Sequence, residues 1–159
     1  MSSKKQKLLQ LQQGEWTASE LSIHYKPGVK SNKILNTTAK AGDFILSVWN
    51  KELISLQEQV MAFFLNSQHK VIGYRVICTG TRTGCLLDVQ LIVSLALHSL
   101  ASSVILAHNH PSGNLTPSIA DIETTKKVKA ALNLIDVKLY DHYIITVYGW
   151  SSLYIQGRI

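Results

Sequence analysis

The sequence lacks any run of roughly 18 consecutive apolar residues, the length that a membrane-spanning helix requires. Its start, Met-Ser-Ser-Lys-Lys-Gln-Lys, lacks the apolar core of a signal peptide, so we expect a cytoplasmic protein with no membrane partner. The two cysteines, Cys78 and Cys85, form no CxxC pair, which excludes a zinc ribbon. They could face each other across a hairpin, but reduced thiols are the simpler expectation in the cytoplasm.

Acidic residues are also scarce near the N-terminus. Residues 1–40 contain seven lysines and two glutamates, so they carry +5 of the net charge of +6. A basic arm of this kind could contact DNA, although a poorly ordered leader has the same composition. We therefore divide the chain into a basic arm over residues 1–36, with a possible strand at 19–25, and one domain over residues 37–159.

The hydrophobic pattern of the remaining chain alternates between strand and helix spacing. It predicts helices at 38–51, 88–101 and 117–132, with Thr38, Asp88 and Thr116-Pro117 at their N-termini. The predicted strands lie at 58–66, 71–79, 104–110, 137–140 and 143–147, and an edge element follows at 149–153. Strands that alternate with helices indicate an α/β domain with three layers.

Two histidines and an aspartate stand where the strand over 104–110 gives way to the next helix. His108 and His110 are two apart on a strand, so their side chains share a face with Cα atoms about 6.5–7 Å apart. Asp121 lies in the first turn of the following helix. Two imidazoles and a carboxylate form a three-ligand set that leaves the fourth position open, as in catalytic zinc sites. Polar surface residues and a helix-capping acid would explain the same letters without a metal.

These residues also carry a family resemblance. His108-x-His110, seven residues, Ser118, two residues and Asp121 resemble the JAMM motif of JAB/MPN metalloproteases. The run His-Asn-His-Pro-Ser-Gly resembles the RadC branch, and the likeness extends from about Glu58 to the C-terminus. It implies a cytidine-deaminase-like fold, a curved mixed sheet flanked by helices. Asn109 stands where deubiquitinases usually carry Ser or Thr, which suits RadC and disfavours a ubiquitin-like substrate.

The resemblance implies one Zn²⁺ per chain, bound by His108, His110 and Asp121. Its catalytic base would be Glu58, which would exchange a proton with the attacking water. A solvated acid between Gln57 and Gln59 is the alternative interpretation of Glu58.

Three further residues receive roles from the same resemblance. Ser118 would donate a hydrogen bond to the oxyanion, unless it only caps the helix. Asp141 and His142 resemble an Asp-His pair that RadC-like proteins place before their last long strand. They would orient a ligand imidazole, or they form a polar junction between two short strands.

Together these observations predict a zinc-dependent hydrolase of amide bonds, acting on a peptide or protein, from a family traditionally labelled DNA repair. The alternative is a nucleic-acid-associated binding module that uses its basic arm and holds a structural metal. A metal-free scaffold is a third hypothesis, which the complete ligand set disfavours. The sequence predicts neither the substrate nor the oligomeric state.

Overall fold

A computed structural model describes residues 33–81 and 85–159. The basic arm and its predicted strand at 19–25 therefore fall almost entirely outside the described residues. The described part of the chain contains three helices, α1 (Thr38–Val48), α2 (Val89–His98) and α3 (Ile119–Asn133). The same two described ranges contain five strands, β1 (Gln59–Leu65), β2 (Val71–Thr79), β3 (Ser103–Asn109), β4 (Lys138–Thr146) and β5 (Gly149–Ser152).

The strands form one mixed sheet in the order β2-β1-β3-β4-β5. Only β3 and β4 pair in parallel, and α3 makes the crossover between them. Residues of β1 and β3 alternate between two apolar cores. One core lies against α1 and contains Phe63 and Ile105, whereas the other lies against α2 and α3 and contains Phe64 and Leu106. The predicted three-layer α/β fold is confirmed.

The strand predicted at 71–79 has those bounds in the structure, whereas two helix starts differ from the predictions. Helix α1 is capped by Thr37, whose side chain accepts a hydrogen bond from the Lys40 N–H, rather than by Thr38. Helix α3 is capped by Ser118, because its hydroxyl and the Asp121 carboxylate bond each other's backbone N–H groups. The prediction of a cap at Thr116-Pro117 is therefore wrong.

The two short strands predicted at 137–140 and 143–147 are one continuous strand, β4. The prediction treated Asp141 and His142 as a polar break. Both are buried and pair with Ile105 and Leu106 of β3, and their side chains have hydrogen-bond partners inside the fold. A bulge near Tyr140 shifts the register, since Val104 pairs with Leu139 and Ile105 pairs with Asp141.

Cys78 at the end of β2 and Cys85 before α2 form a disulfide, with Cα atoms 6.2 Å apart. The prediction of reduced thiols is therefore wrong. The two cysteines do face each other, although Cys85 lies on no strand and the pair does not bridge a hairpin. Within the two described ranges, no helix combines the length and the apolar character needed to cross a membrane.

Candidate metal centre

The predicted ligands meet at the carboxyl end of β3. His108 is the penultimate residue of β3, His110 follows the strand, and Asp121 lies in the first turn of α3. The ligand atoms of these three side chains all lie within 4.8 Å of one another. The Nε2 atoms of His108 and His110 are 2.8 Å apart, and the Asp121 carboxylate oxygens lie 3.3 Å and 3.5 Å from them. The crossover from β3 to α3 thus brings all three together.

A second set of hydrogen bonds fixes the ring of His108. Its Nδ1 atom lies 2.8 Å from Nε2 of the buried His142, and Nδ1 of His142 lies 2.6 Å from the hydroxyl of Thr125. The Thr125 hydroxyl donates to the backbone carbonyl of Asp121 at 2.5 Å. Burial, with a smaller contribution from His108, lowers the pKa of His142 well below its usual value, so its ring is neutral.

These contacts determine where the imidazole protons lie. Thr125 has one hydroxyl proton and donates it to a carbonyl, so it accepts from Nδ1–H of His142. The neutral His142 then accepts at Nε2 from Nδ1–H of His108. His110 donates its Nδ1–H to the backbone carbonyl of Asn114 at 2.7 Å. Both ligand rings therefore hold a proton at Nδ1 and direct Nε2 towards Asp121, so loss of any proton at Nε2 leaves the tautomer that metal binding requires.

The charges in this cluster also favour a cation. Burial opposes ionisation of Asp121, but hydrogen bonds from His108 and His110 outweigh it and hold the pKa of its carboxyl well below its usual range. The hydrogen bond to Asp121 raises the pKa of His110. A tetrahedral Zn²⁺ places its ligand atoms about 3.3 Å apart, close to the separations observed. The three residues therefore fit one metal ion, which would displace the protons that the Nε2 atoms carry when they donate to Asp121.

Glu58 lies just before β1 and lines the same cavity as the three ligands. Burial raises the pKa of its carboxyl, and the nearby His108 opposes that increase. The backbone N–H of Glu58 donates to the carbonyl of Thr81 at 2.9 Å, and its carbonyl accepts from Gly80 at 2.8 Å. Gly80 and Thr81 belong to the segment that the Cys78–Cys85 disulfide closes.

Ser118 lies at the cavity, whereas Asp141 lies at the junction of β4 and β5. Ser118 is exposed, lines the cavity, and accepts a hydrogen bond from the Asp121 N–H at 3.1 Å, so its own proton is still available to a ligand. Asp141 accepts from the hydroxyl of Ser152 at 2.6 Å and from the N–H groups of His142 and Tyr154. Among the contacts described, Asp141 bonds none of the three candidate ligands and instead ties β4 to β5.

Sequence reasoning missed two residues that support this centre, Thr125 and Asn109. Thr125 lies four residues after Asp121, one helical turn along the same face, and that spacing was the available signal. Asn109 was noted only as a departure from the deubiquitinase motif. Its side chain points to the opposite face of β3 from the two histidines, where it bonds the segment around Glu58.

Comparison with known proteins now adds to the geometry. The sequence model of the RadC-like JAB domain matches residues 35–158. The chain belongs to the RadC-like JAB domain family. A UPF0758 protein of Flavobacterium johnsoniae is 43% identical over 100 residues, which are 63% of this chain and 44% of that protein. A UPF0758 protein of Pseudomonas fluorescens is 31% identical over 135 residues, covering 80% of this chain and 59% of the relative.

This RadC-like chain spans about half the length of the curated relatives that it matches. Their names state no activity.

The role of Thr125 can be tested by replacing it with valine, which keeps the shape but removes the acceptor for His142. Because His108 would lose its fixed tautomer, we expect zinc affinity to fall about 10–100-fold. Competition with a chromophoric chelator measures this affinity. Thr124→Val is the matched control, since Thr124 lines the same cavity but takes no part in the hydrogen bonds that join His108, His142 and Thr125. Equal affinities in T125V and the unmodified protein would contradict the assignment.

Asp141→Ala, in contrast, should lower the stability of the fold and leave zinc affinity almost unchanged. It leaves the Ser152 hydroxyl and two backbone N–H groups without their acceptor, so we expect a loss of about 3 kcal/mol in the free energy of unfolding. Urea denaturation measures that loss. Zinc affinity of the folded variant should stay within about threefold of the unmodified protein, because none of the hydrogen bonds described for Asp141 involves a candidate ligand. A large loss of affinity would restore the predicted role in orienting a ligand.

Proposed function

We propose that this RadC-like domain is a zinc-dependent hydrolase of amide bonds in peptides or proteins. The observation that carries the proposal is one cavity of about 470 Å³ that contains His108, His110 and Asp121 together with Glu58 and Ser118. The first three fit a single metal with three protein ligands, and the other two supply a proton acceptor and a hydrogen-bond donor.

Each residue has a defined task in this proposal. A bound Zn²⁺ would supply Lewis acidity, which polarises a carbonyl group and lowers the pKa of water. Glu58 takes the proton of the attacking water and delivers it to the departing amine nitrogen. Its raised pKa suits this task, since a group that both accepts and releases a proton works best near the ambient pH. Ser118 donates a hydrogen bond from its hydroxyl to the carbonyl oxygen as negative charge develops there.

The walls of the cavity favour a polypeptide over a nucleic acid. None of the described lining residues is Lys or Arg, and the ionised Asp121 faces the space. Val60, Leu87 and Pro117 add apolar surface. Nucleic acids bind through cations that neutralise phosphates, and the described part of this cavity offers none. DNA binding through the basic arm remains a separate prediction.

The test is a peptide-cleavage screen with the zinc-loaded chain. A mixture of natural peptides is incubated with it, and the new termini are identified by mass spectrometry. We expect a limited set of cleaved amide bonds, lost after treatment with a chelator and restored by one equivalent of Zn²⁺. The absence of cleavage, combined with DNA affinity that falls steeply with salt, would favour the binding-module alternative.

A further inference from the structure

Asn109 lies between two candidate metal ligands but belongs to a different part of the structure. It is the last residue of β3 and is completely buried, with 0% exposure. Its side chain leaves β3 on the face opposite to His108 and His110. On that face it meets residues 54–59, which lead into β1 and include Glu58.

Both N–H groups and the carbonyl oxygen of the Asn109 side-chain amide form hydrogen bonds with this segment. Its Nδ2 atom donates to the carbonyls of Ile54 at 2.7 Å and Gln57 at 2.9 Å. Its Oδ1 atom accepts from the N–H of Gln59 at 2.7 Å. The residues directly before and after Glu58 are therefore both bonded to the same side chain.

From these contacts we propose that Asn109 is a positioning residue, which holds Glu58 at a fixed place relative to the metal ligands. This inference rests on the proposed function, because it assumes that Glu58 acts next to a metal. Hydrogen bonds from Gly80 and to Thr81 fix Glu58 from the side of β2. Asn109 fixes it from the side of β3, which is the strand that carries His108.

The chemistry of the site requires an amide at this position. Two carbonyls need donors and one N–H needs an acceptor, and an asparagine side chain provides both within one planar group. Serine offers a single hydroxyl proton and is shorter. Aspartate would place negative charge against two carbonyl oxygens. A change at residue 109 therefore releases the segment around Glu58 while it leaves the histidine side chains in place.

The experiment uses the full chain loaded with Co²⁺, with ¹³C-labelled glutamate. The chain has five glutamates, and comparison with Glu58→Gln assigns the Glu58 carboxyl signal. The shift that a paramagnetic ion causes in that signal falls steeply as the distance between the carboxyl carbon and the ion increases. We expect a strong shift in the unmodified protein and a loss of at least about half of it in Asn109→Ala and Asn109→Ser. The serine variant serves if the alanine variant fails to fold.

Asn66 supplies the matched control at the opposite end of β1. Its side chain accepts hydrogen bonds from the N–H groups of Gln68 and Lys70, both at 3.0 Å, so it also stabilises a turn. Asn66→Ala should leave the Glu58 shift unchanged. All variants should bind Zn²⁺ within about threefold of the unmodified affinity.

Kinetics with a peptide cleaved in the screen provide a second readout. We expect Asn109→Ala to lower kcat about 10–100-fold with KM almost unchanged. This loss is part of the roughly 10²–10⁴-fold rate enhancement that a general base contributes. Adding Glu58→Gln to Asn109→Ala should lower kcat less than Glu58→Gln does alone, since both changes act through one group.

The outcomes separate this inference from the function on which it rests. An unchanged Glu58 shift in both Asn109 variants overturns the inference, and so does an equal loss in Asn66→Ala. The expected shifts without any peptide cleavage would support Asn109 and count against the hydrolase. If Co²⁺ does not bind, the proposed function fails, and hydrogen exchange at the Gln59 amide decides whether Asn109 holds this segment.

Discussion

Substituting alanine for His108 is expected to reduce bound zinc from one ion per chain to almost none. His108 is 2% exposed, and its Nε2 lies 2.8 Å from that of His110 and 3.3 Å from Asp121, so it occupies the centre of the ligand set. Loss of a partner that only orients a ligand costs about 10–100-fold in affinity, and loss of the ligand itself should cost more. Elemental analysis of protein purified without chelators measures the content.

His98→Ala is the control for that experiment. His98 is exposed on α2 and its Nδ1 contacts the carbonyl of Ser94 in the same helix, so its removal should leave zinc content unchanged. Zinc that persists at one equivalent in His108→Ala would contradict the ligand set. Equal loss in both variants would indicate nonspecific surface binding.

Replacing Glu58 with glutamine should separate metal binding from catalysis. The amide has nearly the same shape, so the backbone bonds to Gly80 and Thr81 should remain and zinc content should not change. Glutamine cannot take up the proton of water, and general acid–base catalysis typically contributes 10²–10⁴-fold. We therefore expect hydrolysis to fall by about that factor. The measurement is kcat/KM on a peptide from the screen, with zinc content determined on the same sample.

The exposed Glu52 provides the comparison, because Glu52→Gln removes one carboxylate without touching the cavity. Its rate should stay within about twofold of the unmodified protein. Full activity in Glu58→Gln would show that another group takes the proton, and the proposed mechanism would lose its base.

Much of this arrangement could be predicted from short-range patterns. Alternation along β3 places His108 on the face that α3 covers, and a helix that starts at Ile119 brings Asp121 to the same end of the strand. Both features depend on residues within one strand–helix unit. The resemblance to RadC-like proteins added Glu58, which periodicity alone could not connect to the histidines.

The contacts missed from the sequence join residues far apart in the chain. Asn109 bonds Ile54 across a separation of 55 residues, and no pattern in the sequence indicated that contact. His142 bonds His108 across 34 residues, a role that the family resemblance implied but periodicity did not. Periodicity indicates which face a side chain occupies but does not identify its partner. The same limit explains β4, where Asp141 and His142 looked like a break. Their partners Ser152, His108 and Thr125 make both polar side chains compatible with a buried strand.

The three candidate ligands and the proposed base come together over very different separations in the sequence. His108, His110 and Asp121 lie within one segment of 14 residues, so bringing them together closes a short loop at a small entropic cost. Glu58 lies 50 residues before His108 and reaches the cavity only when β1 pairs with β3. The candidate metal ligands therefore come together within one short segment, whereas placement of the proposed base depends on long-range assembly of the sheet. A substitution that disturbs β1 is therefore expected to displace Glu58 and to leave the segment with His108, His110 and Asp121 complete.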